Sequence, residues 1–172
     1  MQRINEIREL INSIKHVNPK ITFLIGPPAS GKSTWVSQNG NNAIIISRDD
    51  IVDKLRKLLG ISYGEAFKNQ ELQNKVNAEL QTHINNSLIS GKDIVVDMTN
   101  MNKNSRSHIL SKVPQNYTKN AVVFNVSRDE LLNRLKTREE QTGKHVPIAV
   151  VDQMISNFQL PDKDEFDNIS LI

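Results

Sequence analysis

The fold of this 172-residue chain is decided by the stretch Gly26-Pro27-Pro28-Ala29-Ser30-Gly31-Lys32-Ser33-Thr34. It fits the pattern G-x-x-x-x-G-K-[S/T] of a phosphate-binding loop, whose backbone N–H groups point at phosphate oxygens. An apolar run of strand length precedes the stretch and a helical pattern follows it. We therefore predict that all nine residues bind ATP, that Lys32 reaches the β- and γ-phosphates, and that Ser33 ligates Mg²⁺.

Apolar runs of strand length alternate with helical patterns along the rest of the chain. The runs are Ile21–Ile25, Ala43–Ile46, Ile94–Val96 and Ala121–Phe124. This alternation predicts an α/β three-layer sandwich, with a mostly parallel sheet of four to five strands and helices on both faces. We assign residues 1–20 to an N-terminal amphipathic helix and residues 21–172 to one P-loop domain.

Composition excludes several classes of protein. The chain has no cysteine, which rules out a disulfide framework, a thiolate zinc site and a cysteine nucleophile. The first segment carries charges throughout, and no apolar run is long enough to span a bilayer, so we expect a cytoplasmic protein with no membrane partner. The net charge of +3 permits a polyanionic substrate without arguing for one.

Carboxylates follow the second and third strands, at the edge where ligands of parallel sheets bind. The second strand ends in Ser47-Arg48-Asp49-Asp50, and one of the two aspartates could be a general base while the other caps the next helix. The third ends in Asp97, which resembles a Walker B residue and could hold Mg²⁺ through water. Thr99 and Asn100 follow, as site residues or as turn residues.

Two arginines four residues apart, Arg134 and Arg138, share one face of a predicted helix. They either pair with carboxylates such as Glu130 or stabilise charge on a transferring phosphoryl group. The polar stretch Glu139–His145 and the following Val146-Pro147 suggest a lid over about residues 134–147. The guanine-specificity pattern N-K-x-D is absent, so a small kinase is favoured over a switch GTPase.

Taken together, these residues resemble the 5′-hydroxyl polynucleotide kinases of bacteriophage and of eukaryotic DNA repair, within the P-loop kinases. The motifs that carry the resemblance are GPPASGKSTW (26–35), SRDD (47–50), VVDMTN (95–100), the paired arginines, VP (146–147) and the tail FQLPDKDEFDNI (158–169).

The resemblance implies an ATP- and Mg²⁺-dependent enzyme that phosphorylates the 5′-hydroxyl end of a nucleic acid during repair. It makes Asp49 the general base, with Lys32, Arg134 and Arg138 as catalytic residues on the phosphates. The acceptor side is then formed by Arg48, Asp49, Asp97, Thr99 and Asn100, and the Mg²⁺ ligands are Ser33 and Asp97. A further strand is expected within residues 168–172.

Two departures from the family pattern affect these expectations. Ala29 stands where glycine is usual, so we expect the loop to form without a positive φ there. In the phage enzyme an arginine three residues after the base binds a 3′-phosphate; here that position is Val52, which argues against a preference for 3′-phosphorylated ends.

Other functions remain open on the sequence. A related kinase could act on a modified DNA base, a tRNA-linked group or a small metabolite, and a nucleotide-binding regulator or toxin-like module is a third class. Tyr63 and Phe67 could stack on a base, although core packing is an equal alternative for Phe67. Lys54, Arg56, Lys57 and the segment 103–106 could bind backbone phosphates or form a solvated face. The choice between RNA and DNA and the oligomeric state have no signal in the sequence.

Overall fold

The computed structural model describes residues 18–172, so most of the N-terminal helix predicted over residues 1–20 lies outside the described part, and Lys20 belongs to a strand. Five parallel strands form one sheet in the order β2-β3-β1-β4-β5. They are β1 (Lys20–Ile25), β2 (Ile44–Ser47), β3 (Ile94–Asp97), β4 (Thr118–Val123) and β5 (Asn168–Leu171). The predicted α/β fold with a parallel sheet is confirmed, and β5 lies within the segment expected to add a strand.

Helices connect these strands over both faces of the sheet. In the described residues they are α1 (Lys32–Asn39), α2 (Arg48–Leu59), α3 (Tyr63–Lys68), α4 (Gln70–Ile89), α5 (Lys103–Leu110), α6 (Arg128–Thr142) and α7 (Ile148–Ser156). Neither α3 nor α5 was predicted, because each is too short and polar for a clear hydrophobic period. No helix in this part of the chain is both long and apolar enough to cross a membrane.

The core surrounds the central strand β1, which is buried on both faces. Phe23 belongs to the larger cluster, which includes residues of α4, α5 and the tail, whereas Leu24 points to a smaller cluster against α1. A third cluster holds α2 against α3 and α4 around Val52 and Val76. Leu58, in the last turn of α2, lies outside this cluster and is 75% exposed.

The tail between α7 and β5 is part of the core. Phe166 is buried, and its ring packs edge-on against Phe23 at 5.3 Å. Glu165 next to it pairs with Arg106 of α5, whose side chain is fully buried. These contacts hold the last strand on the sheet and connect the tail with the residues behind the phosphate loop.

Candidate active site

The three central strands end together beside the phosphate loop. Asp97, at the end of β3, pairs in register with Ser47 of β2 and with Leu24 of β1. The loop leaves β1 directly after Ile25, and the Gly26 N–H donates to the Thr99 carbonyl at 3.0 Å. The residues predicted at the ends of separate strands therefore meet at one edge of the sheet.

The phosphate loop needs its glycines and one unusual alanine conformation. A Cβ on Gly26 would lie 2.6 Å from Ser30 Oγ and 3.0 Å from Phe124 Cβ, so these neighbouring side chains leave no room for one. Gly31 has φ 107°. Ala29 has φ 64°, which corrects the expectation that the loop would form without a positive φ at this residue. The small side chain makes this left-handed conformation tolerable, at a cost of about 1 kcal/mol.

Lys32 folds back over the loop that precedes it. Its Nζ donates to the carbonyls of Gly26 at 2.8 Å and Pro27 at 2.7 Å, and lies 3.4 Å from Ser30 Oγ. Burial lowers the pKa of Lys32 to about 8, against the opposing effect of Asp97. Phosphate oxygens nearby would favour the charged form again, so the site is suited to a polyanion.

The helix that follows β2 is capped by Ser47 and not by either aspartate. Ser47 Oγ accepts from the Asp50 N–H at 3.2 Å, which places Asp49 and Asp50 in the first turn of α2. The alternative in which one of them is the cap is therefore wrong. Both carboxylates are favourable near the positive end of the helix, and both line the cleft over the phosphate loop.

Asp49 is surrounded by donors from three segments. Tyr63 Oη of α3 donates to Oδ1 at 2.5 Å. Arg138 Nη2 of α6 lies 3.2 Å from Oδ2, and Lys144 Nζ lies 2.9 Å from the same oxygen. Burial and the hydrogen bond to Asp49 raise the pKa of Tyr63, so the phenol remains a donor. Asp49 is thus held in one orientation while 36% of its side chain stays exposed.

The helix α6 extends further than the predicted lid suggests. It is continuous to Thr142 and ends at Gly143 with φ 68°, so the polar residues 139–142 are helical and not part of a loop. Only residues 143–147 connect α6 to α7. The i,i+4 pair of Arg134 with Glu130, at 2.7 Å, stabilises the first half of the helix.

The two predicted arginines of α6 reach different parts of the site. Arg134 Nη1 lies 3.5 Å from the Ala29 carbonyl, above the phosphate loop, although its Nε also pairs with Glu130. Arg138, one turn later, contacts Asp49. The same helix face therefore spans the distance from the phosphate loop to the candidate base.

Ser33 and Asp97 provide oxygen ligands of the type that Mg²⁺ prefers. Both line the same cleft, Ser33 from the first turn of α1 and Asp97 from the end of β3. Burial raises the pKa of Asp97; Lys32 opposes this, and the nearby charges of Asp50 and Asp49 add to it. A cation would relieve the repulsion among these carboxylates, and Mg²⁺ usually binds one or two of them plus substrate phosphates. The residues present therefore fit the ion.

Thr99 and Asn100 have mainly supporting contacts. The Thr99 carbonyl accepts a hydrogen bond from the Gly26 N–H. Asn100 is buried, has a φ of 49°, and donates its side-chain amide to the Leu24 carbonyl at 2.8 Å. The same amide also lies near the carbonyls of Val96 and Met98. Asn100 therefore joins β1 to β3 below the loop, whereas an acceptor contact stays a prediction.

Several basic residues suggested for the acceptor are already paired. Arg48 donates to Gln73 at 2.6 Å and lies at the cleft wall. Lys54 pairs with Glu79, Arg56 with Asp53, and Lys103 with Asp162. Arg106 is fully buried and cannot bind a phosphate at the surface, which corrects its inclusion among the candidates.

Sequence reasoning missed Lys144 and Asp53 as members of the site. Lys144 lies in the connection after α6, contacts Asp49 and Asp53, and has its Nζ 5.0 Å from the centre of the Tyr63 ring. The only available signal was a lysine between Gly143 and Pro147 at the end of the predicted lid. Its partners lie more than 90 residues away in sequence, so spacing alone could not identify them.

The phosphate loop from Pro28 to Thr34 lines one large open cleft of about 1760 Å³, together with Asp49, Asp97 and both arginines of α6. Typical pockets for small ligands measure roughly 300–1,000 Å³, so this volume has room for ATP and for a sizeable acceptor. The aromatic rings of Tyr63 and Phe67 form part of its wall, at 4.8 Å from each other. Phe67 is 48% exposed, which excludes a core role for it.

A family model described as an AAA domain matches residues 21–161, which span the phosphate loop, the candidate base and both arginines of α6. The chain belongs to this family. The match covers most of the described residues, and the fold is that of P-loop kinases.

Solved structures with different activities share the fold of this family member. A protein of the Pnkp1/Rnl/Hen1 RNA repair complex is 23% identical with a TM-score of 0.68, over 85% of this chain and 46% of that one. A structure of the PezAT chromosomal toxin–antitoxin system of Streptococcus pneumoniae is 13% identical with a TM-score of 0.68, over 97% of this chain and 74% of that one.

A gluconokinase from Sinorhizobium meliloti gives 15% identity and a TM-score of 0.53, over 90% of this chain and 82% of that one. The chain thus spans less than half the length of the RNA repair protein it matches, and these likenesses establish the fold and not the acceptor.

Proposed function

We propose that the protein is an ATP-dependent kinase that transfers the γ-phosphate to the 5′-hydroxyl end of RNA or DNA. The observation that carries this proposal is the arrangement of α6. Arg134 lies over the phosphate loop at Ala29, and Arg138, one turn later, contacts Asp49. A phosphoryl group held by the loop would therefore lie between cations and face a carboxylate, as in-line transfer to a hydroxyl requires.

Each side chain of the site has one role in the proposed reaction. The acceptor oxygen attacks the γ-phosphorus while its proton passes to Asp49, and the bond to the ADP oxygen breaks. Lys32 and the arginines of α6 stabilise the charge on the phosphoryl oxygens. Ser33 and Asp97 would hold Mg²⁺, which neutralises charge on the triphosphate when bound.

A nucleic acid is supported as the acceptor by the size and lining of the cleft. Beyond Asp49 the wall is formed by the Tyr63 and Phe67 rings, with Arg48 and Lys68 nearby. Exposed aromatic rings stack on bases, and cations bind backbone phosphates. The motif order RDD, D-x-T-N, paired arginines and VP gives further support through the family resemblance.

A small hydroxylated metabolite is the second candidate. The gluconokinase matches this chain over most of both lengths, whereas the RNA repair protein is matched over less than half of its own. Asp49 and Arg138 would serve either acceptor, since a strand end and a sugar acid both offer a hydroxyl group.

One assay separates these candidates. Labelled ATP is offered in parallel to 5′-hydroxyl oligonucleotides of one to ten nucleotides, duplex DNA, tRNA, nucleosides and sugar acids, at two salt concentrations. The proposal expects transfer to strands, with a specificity constant that rises over the first nucleotides and falls with salt. Equal use of a nucleoside and a ten-nucleotide strand without salt dependence, or transfer only to a sugar acid, would contradict it.

A further inference from the structure

Lys144 and Asp53 form an ion pair beside the candidate base, and neither residue lines the cleft. The Lys144 side chain is only 13% exposed and comes from the connection between α6 and α7, directly after Gly143. Its Nζ lies 2.9 Å from Oδ2 of Asp49 and also contacts Oδ2 of Asp53, one turn later on α2. The direct route from this pair to the site is therefore its contact with Asp49.

Asp53 holds the ammonium group of Lys144 in place. Its other oxygen, Oδ1, accepts from Arg56 Nε at 2.6 Å. Burial acts to raise the pKa of Asp53, but the hydrogen bonds from Lys144 and Arg56 together outweigh burial and keep it below its ordinary value. Asp53 thus stays ionised, and the Tyr63 ring, 5.0 Å from Lys144 Nζ, adds a cation–π contact on another side.

The contacts of Asp49 determine where it can accept a proton. An ionised carboxylate has about four acceptor sites, two on each oxygen. Tyr63 donates to Oδ1, whereas Arg138 and Lys144 both contact Oδ2. These three donors from the described residues leave a site on Oδ1 for the acceptor hydroxyl, in one orientation of the carboxylate.

The two cations on Oδ2 differ in what the reaction asks of them. Arg138 has to stabilise charge on the phosphoryl group during transfer, so its contact with Asp49 loosens at that stage. Lys144 is anchored by Asp53 and has no such second task. It can therefore hold Oδ2 throughout the reaction.

We propose that the Asp53–Lys144 pair positions Asp49 for proton abstraction. Asp53 anchors the ammonium group, and Lys144 fixes Oδ2 while Arg138 turns to the phosphoryl group. Both are positioning residues, since they act through Asp49. This inference rests on the proposed role of Asp49 as the general base and applies to any hydroxyl acceptor.

The test measures Lys144→Met in wild type and in Asp49→Asn, with ATP and the acceptor that wild type uses best. In wild type, kcat should fall about 10- to 100-fold, as expected for one charge-assisted hydrogen bond, while the KM of the acceptor changes little. In Asp49→Asn, the same substitution should change the residual rate by less than about threefold, because the positioned group is gone. Lys144→Arg should recover part of the turnover, because it keeps the positive charge.

Asp53→Asn gives a second test that leaves Lys144 in place. It should lower kcat by a smaller factor, since the amide oxygen can still accept from Lys144, and it should again have little effect in Asp49→Asn. The matched control is Lys136→Met at an exposed position of α6, which should leave kcat and KM unchanged.

An equal fall of kcat in wild type and in Asp49→Asn would overturn the inference, because the pair would then act on the structure as a whole. A rise in the KM of the acceptor with kcat intact would also overturn it and assign Lys144 to acceptor binding. The proposed function fails separately. A wild type that phosphorylates only sugar acids contradicts the proposed acceptor and leaves this inference standing, whereas full turnover by Asp49→Asn removes the base and overturns both.

Discussion

Substitution of Glu165 by glutamine should destabilise the protein far more than the loss of a similar ion pair at the surface. Glu165 accepts two hydrogen bonds from Arg106, from Nε at 2.9 Å and from Nη2 at 2.8 Å. The arginine is fully buried, and its remaining Nη1 donates to the carbonyls of Asn100 and Gln159. Glutamine keeps the shape of the side chain but removes the counter-charge.

The magnitude follows from burial. A buried charge that loses its partner costs about 3–5 kcal/mol, because the guanidinium cannot be solvated where it lies. For a protein of this size, about 1 kcal/mol shifts Tm by roughly 2–4 °C, so Glu165→Gln should lower Tm by about 6–20 °C. Replacing both partners, as in Arg106→Met/Glu165→Leu, should cost less than the single change, since no charge is left buried.

The chain contains its own control. Arg128 and Asp152 form a pair of the same geometry, with Nε–Oδ1 at 2.7 Å and Nη2–Oδ2 at 2.9 Å, but about half of each side chain is exposed. Asp152→Asn should therefore cost at most about 1 kcal/mol. Thermal unfolding of both variants measures the difference, and similar falls in Tm would refute the argument from burial.

The remaining predictions concern catalysis. Lys32→Ala should abolish phosphoryl transfer while Tm changes little, and near-normal turnover would contradict the mechanism. Asp49→Asn should lose roughly 100-fold or more in turnover with little change in ATP affinity, whereas Asp50→Asn should retain activity; the reverse result would move the base by one residue. Arg138→Ala should lower kcat more than it raises the KM of the acceptor, and the opposite pattern would assign Arg138 to acceptor binding.

The parts of the structure that follow from local pattern were predictable. The phosphate loop, the parallel strands and the edge at which Asp49 and Asp97 meet all follow from runs of apolar residues and from the rules of parallel sheets. The pairing of Arg138 with Asp49 required the further assumption that α6 crosses the cleft. The family resemblance placed Arg134 and Arg138 on the phosphates, so the pairing with Asp49 was not predicted.

The errors occurred where tertiary contacts decide the role of a residue. Arg106 looks like a surface cation in a polar segment, yet Glu165, 59 residues later, allows its burial. Ala29 adopts a positive φ because the loop as a whole fixes its backbone. The sequence around Lys144 does not identify its partners, since they lie on α2. The roles of Arg106 and Lys144 thus depend on contacts between segments distant in sequence.

The tail and the phosphate loop are connected through a continuous set of hydrogen bonds. Glu165 holds Arg106, Arg106 donates to the Asn100 carbonyl, and the Asn100 amide donates to the carbonyl of Leu24 just before the loop. The neighbouring Thr99 carbonyl accepts from Gly26 within the loop. Glu165, more than 130 positions after the loop, thus helps to fix the backbone that would bind the phosphates. This contact gives a physical reason for the resemblance of the tail to the ending of the kinase domain.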